Sequence, residues 1–130
     1  MRKILLTVLL ACSALAHADD ASSDERGAVQ ASYDDFQANY NSLLFSLNAH
    51  IAAMESDSAD VYEGHQMCVD GNQLANLFQN NPRFAADFDK TYAPDVTFAD
   101  SLKTWRETAQ ASKSECAKLK QMYDKLDLSL

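Results

Sequence analysis

Between Val29 and Met54 the large side chains recur at alternating steps of four and three. Val29, Tyr33, Phe36, Tyr40, Leu43, Leu47, His50 and Met54 therefore fall on one helical seam. Leu44 and Ile51 widen that seam beyond the two-position stripe of an isolated coiled coil, so the pattern predicts a long helix, about residues 23–54, lying on a globular bundle. A second seam joins Phe98, Leu102, Trp105, Ala109, Ser112, Cys116, Leu119, Tyr123 and Leu126. It predicts another long helix, about residues 97–126, with Ala109 and Ser112 small enough to let a neighbour approach closely. These two long helices are expected to form the main pair.

The stretch between them is more broken. Ser56-Asp57-Ser58 interrupts the first seam and offers N-caps, and Asp60 and Glu63 suit the positive end of a following helix. That helix carries Val61, His65, Cys68, Leu74, Leu77 and Phe78, with Asp70-Gly71-Asn72 expected to break or kink it. Asn80-Asn81-Pro82 reads as a stop and restart, because Asn caps well and Pro is favoured in a first turn. A short helix bearing Phe84 and Phe88 follows, then a loop at Tyr92-Ala93-Pro94-Asp95. With two prolines, three glycines and no alternating run, the chain is expected to be all-α, an antiparallel bundle of three to four helices.

The N-terminus changes the setting in which that bundle would work. Arg2 and Lys3 precede an apolar run from Ile4 to Leu10, and Ala16-His17-Ala18 forms a small-x-small site before Asp19-Asp20. This is the layout of a secretory signal peptide over residues 1–18, which leaves 19–130 as a single helical domain in the periplasm or outside the cell. Leu9-Leu10-Ala11-Cys12 offers an alternative, a lipoprotein anchored through Cys12. The apolar run is too short to span a bilayer, and no transmembrane segment is expected elsewhere.

The whole chain carries 11 basic and 19 acidic residues, a net charge of −8; loss of Arg2 and Lys3 would make it −10. Such a surface repels the phosphates of nucleic acids and favours a basic partner, or simply keeps an exported protein in solution. Lys and Arg are absent from Gly27 to Pro82, whereas Arg106, Lys113 and Lys120 recur every seven residues beside the last seam. Complementarity between packed helices is the expected use of that asymmetry.

Few residues invite chemistry. Cys68 and Cys116 are expected to form a structural disulfide, since the only other cysteine is Cys12 and no Cys-x-x-Cys motif suggests redox work. No catalytic or phosphate-binding motif occurs, and the paired acids Asp34-Asp35, Asp57 with Asp60, and Asp87 with Asp89 read as solvated faces. The chain is thus expected to be non-enzymatic and without a cofactor. The uncharged run from Gly71 to Asn81 is rich in amides and suits a recognition surface; Tyr62, Asn72, Asn76 and Phe78 are its candidate binding residues. The leading expectation is an exported binding protein, of inhibitor or immunity type, for a basic partner in the cell envelope. The alternative is a metal or haem carrier using His50, Met54, His65 and Met67 between helices.

Overall fold

A computed structural model describes residues 25–56 and 60–129, so residues 1–18, the expected signal segment, and Cys12 within them lie outside the described residues. Among the described residues five α-helices follow one another: α1 (Tyr33–Ser56), α2 (Val61–Asn80), α3 (Ala85–Tyr92), α4 (Phe98–Ala111) and α5 (Lys113–Ser129). One 3-10 turn, Pro82–Phe84, leads into α3. No strand occurs among the described residues, in keeping with the all-α expectation.

Helix ends follow local chemistry. Ser32 opens α1, its hydroxyl accepting from the Asp35 N–H at 3.1 Å, and Asp34 and Asp35 occupy the positive first turn. The helix therefore begins at Tyr33 and not near residue 23. Val29 kept the seam's spacing by coincidence: it is 71% exposed, and the segment around it is tied down by α2 instead of coiling. Asp60 caps α2 through the Glu63 N–H at 3.1 Å. The helix then runs unbroken through Asp70-Gly71-Asn72, because the Asp70 carboxylate bonds to Ser46 and Arg26 and does not compete for its own backbone.

The last seam is carried by two helices, not one. Thr97 caps α4 by accepting from the Asp100 N–H at 3.2 Å, and the helix stops at Ala111. There the Ser112 hydroxyl donates to the Thr108 carbonyl at 2.9 Å, and α5 resumes one residue later.

The centre of the packing also differs from expectation. α2 carries the main contacts, with α1 on one side and α4 and α5 on the other, so the first and last helices are not the principal pair. Residue pairs such as Phe36–Phe78 and His50–Glu63 meet in opposite chain order along α1 and α2. The buried core sits at one end and is mostly aromatic: Phe36, Tyr40, Phe78, Phe84, Phe88 and Phe98, completed by Leu43, Leu74 and Leu77. Phe88 meets Tyr40 and Phe78 edge to face, each with centroids 5.3 Å apart. Such pairs add about 1 kcal/mol each beyond area burial. At the other end Cys68 and Cys116 are bonded, Cα to Cα 5.8 Å, and join α2 to α5. No helix among the described residues is long and apolar enough to cross a membrane.

Candidate functional site: an apolar furrow over α2

α1 and the α4–α5 pair flank α2 and leave a furrow between them. At the aromatic end α3 fills it, inserting Phe88 among Phe36 and Tyr40 of α1, Phe78 of α2 and Phe98 of α4. Toward the disulfide end no described residue fills it, and a cavity of about 400 Å³ remains.

Its walls are continuations of the two sequence seams. Leu47, Ile51 and Met54 come from α1, and Trp105, Ala109, Cys116 and Leu119 from α4 and α5. The floor is one face of α2: Gly64, Met67, Cys68 and Gly71. Polar groups enter at Asn72, Thr108, Ser112 and Glu115. The two glycines do different things. A Cβ on Gly64 would meet Leu119 at 3.3 Å, so its absence lets α5 approach; a Cβ on Gly71 would meet nothing within 4 Å, so its absence deepens the furrow. Leu47, Ile51, Met54, Met67, Trp105 and Leu119 are all partly exposed. Met122 and Leu126, three and seven residues beyond Leu119, are 44% and 53% exposed and prolong the same face of α5. A contiguous, half-exposed apolar strip of this kind is the usual mark of a binding surface.

The amide-rich run divides by direction. Gln73, Asn80 and Asn81 turn toward residues 25–31 and hold them. The Gln73 Oε1 accepts from the Gly27 N–H at 2.7 Å, and Asn80 donates to the Gly27 carbonyl at 2.9 Å. Asn81, 1% exposed, accepts from the Gln30 N–H at 2.7 Å and donates to the carbonyls of Ala28 and Leu77 at 2.9 and 2.8 Å. Asn72, Asn76 and Gln79 instead face Arg106, Gln110 and Lys113 across a polar groove of about 600 Å³. The basic residues Arg106 and Lys113 thus meet amides and not the acids of the N-terminal half, while Lys120 pairs with Asp124 on its own helix at 2.8 Å.

Of the four residues read as a recognition surface, Asn72 and Asn76 come together in that groove. Tyr62 is half-exposed at the far end of α2, with Tyr123 and His50 at ring distances of 6.1 and 6.2 Å. Phe78 must be removed from the set. It is fully buried at the junction of α1, α2, α3 and α4 and no partner can reach it; the amides around it in sequence lie on other faces of α2.

The four residues of the metal or haem alternative are not assembled into one site. Met54 and Met67 share the furrow, but His50 is paired through Nδ1 with Glu63 and lies 3.9 Å from Asp70 through Nε2. Asp70 itself, 1% exposed, also accepts from the Ser46 hydroxyl at 2.6 Å and from Arg26 at 3.3 Å. His65 stacks on Tyr123, centroids 4.4 Å apart, and its Nδ1 is buried without a hydrogen-bond partner. Burial, with a contribution from Lys120 that Asp124 opposes, pushes the His65 pKa below its ordinary 6.5. Among the described residues no group of three His, Cys, Asp or Glu side chains is placed to hold a metal ion.

The furrow itself escaped sequence reasoning although a signal was present. The α1 seam runs on through Leu47, Ile51 and Met54 after the aromatic residues that pair with the rest of the core have ended, and Gly64 and Gly71 recur seven residues apart on the facing helix. Comparison with known proteins assigns no family: no family model matches the chain, and no curated protein or solved structure matches it significantly.

Proposed function

We propose that this chain is an exported, non-enzymatic binding protein that seats an apolar surface of a basic protein partner in the furrow between α1 and α4–α5. The observation that carries the reading is the furrow: a strip of partly exposed Leu, Ile, Met and Trp side chains on a frame held by a disulfide. Burying apolar area stabilises a complex by roughly 25 cal/mol per Å² before the cost of association, so such a strip gains most when another surface covers it. The layout of residues 1–18 supports export, and the charge of −8, or −10 after processing, supports a basic partner. An antiparallel bundle centred on α2 is the frame this reading assumes. In this reading the recognition surface moves from Tyr62, Asn72, Asn76 and Phe78 to the furrow, with Asn72 retained at its edge.

Site-specific photocrosslinking in the producing cell tests the proposal. A benzophenone side chain at Ile51 or Leu119 should give the same protein adduct, and one at Ala38, an exposed α1 position outside the furrow, should not. Absence of an adduct from both furrow positions, or an equal adduct from Ala38, would refute the assignment.

A further inference from the structure

The fold already shows what fits this furrow. α3 is a helix of two turns lying over α2 between α1 and α4, and it anchors itself with Phe88 and Tyr92, one turn apart on the same face. The open part is the same furrow continued along the same three walls, from Phe36 and Tyr40 to Leu47, Ile51 and Met54 on α1, and from Phe78 to Gly71 and Gly64 on α2. From this continuity we propose that the open part takes one amphipathic α-helix of the partner, apolar on the entering face and basic along its flanks. The inference rests on the binding reading above and adds the form and charge of the occupant.

Dimensions agree with a helix. Leu47 to Met54 spans about 10 Å of α1, and Gly64 to Gly71 the same length of the unbroken α2 floor, which match a helix of about two turns. Exposure separates a helix from a free aliphatic chain. Small-ligand pockets bury about 70–90% of their ligand, whereas the lining here is open to solvent along its length. An alkyl chain would keep one side in water; an amphipathic helix needs only one apolar face covered and keeps its polar face wet.

Charge fixes the flank. α1 and α2, one wall and the floor, contain no Lys or Arg, and Glu55 follows Met54 at the exposed end of the α1 wall. The charged residue lining the furrow is Glu115, on the opposite wall. Lys or Arg beside the apolar stripe of an incoming helix would meet Glu115 on one wall and Glu55 just past the end of the other, provided the basic flank is turned away from Asn72 and the groove that holds Arg106 and Lys113.

Trp105, the chain's single tryptophan, lines the furrow and reports its occupancy. The probe is a synthetic peptide of about 16 residues, roughly 24 Å as a helix, with Leu on one helical face and Lys on its flanks. The purified mature chain should shift Trp105 emission to shorter wavelength on titration, and the peptide should gain helical circular dichroism. A peptide of the same composition with its Leu positions scattered around the helix should bind at least about tenfold more weakly, and one with Glu in place of Lys likewise. Gly71→Leu fills the furrow from a position with open space around it and should cost a comparable factor without lowering the thermal midpoint. Should that variant fail to fold, Ile51→Asp, at a partly exposed position, replaces it.

Equal binding of the scattered peptide, or unchanged affinity in the variant, would overturn the proposal. Sedimentation of the chain alone as a dimer that Gly71→Leu dissociates would assign the furrow to a second copy instead. Saturable binding of dodecan-1-ol with none of the peptide would assign it to an aliphatic ligand. If Ile51 and Leu119 crosslink a protein in cells while the helical peptide does not bind, the binding reading stands and the helix is wrong; if neither occurs, both fall.

Discussion

Removing the disulfide should loosen α5 before it unfolds the protein. The Cys68–Cys116 bond closes a loop of 48 residues, and in the chain-entropy treatment a loop of that length contributes about 4 kcal/mol at 25 °C. What else holds α5 is modest: none of its described side chains is fully buried, and its contacts on α2 include Leu119 against Gly64 and Tyr123 stacked on His65. The aromatic core belongs to α1, α2, α3, α4 and the 3-10 turn before α3, and needs nothing from α5. The double variant Cys68→Ala with Cys116→Ala should therefore lose about 4 kcal/mol in denaturant titration followed by far-ultraviolet circular dichroism, yet keep its helical spectrum in water. Native-state hydrogen exchange should show α5 amides losing most of their protection while those of α2 opposite the aromatic core keep theirs. Two results would refute this reasoning. A loss below about 1 kcal/mol with α5 protection unchanged would mean that packing alone holds the helix; complete unfolding would mean that the core cannot stand without it.

Three further outcomes follow from the buried polar groups. Asn81→Ala strands the Gln30 N–H, takes the side-chain donor from the Leu77 carbonyl and leaves the Ala28 carbonyl only Gln30 Nε2, and should cost about 1–3 kcal/mol in denaturant titration; Asn76→Ala, on the exposed side of α2, should stay within about 0.5 kcal/mol of the parent. Asp70→Ala removes the carboxylate shared by Ser46 and Arg26 in a site 1% exposed, and should cost about 3 kcal/mol by the same assay, with Asp70→Asn costing less. His65 has its pKa lowered, mainly by burial, so the unfolded chain takes up the proton first. Its contribution is complete above the unfolded value near 6.5 and is lost as the pH falls through it. The thermal midpoint of His65→Phe should accordingly fall less between about pH 7 and pH 5 than that of the parent; an equal fall would place the titrating group elsewhere.

Periodicity, caps and cysteine count are local properties, and these were legible in the chain alone. The 4-3 spacing marks helices because 3.6 residues per turn returns every third or fourth side chain to one face. Asn80-Asn81-Pro82 marks a helix boundary, although the Asn81 side chain gives the following turn no cap and reaches Ala28 and Gln30 besides the Leu77 carbonyl. The caps the structure shows at Asp60, in place of Ser56-Asp57-Ser58, and at Thr97 act on N–H groups three residues on. Of the three cysteines, Cys68 and Cys116 lie in the helical part of the chain, and each has the other as its partner. What a seam packs against is not local. Val29 and Phe36 obey the same spacing, yet one is exposed and the other fully buried, because α2 covers the chain from Tyr33 onward while the residues before it are held by Gln73, Asn80 and Asn81. Phe78 looked like a surface aromatic among amides because direction around a helix cannot be assigned until the neighbours are known. The furrow is tertiary for the same reason. Leu47, Ile51, Met54, Trp105 and Leu119 read in sequence as core, and they line an open furrow because α3 is two turns long and ends before it reaches them.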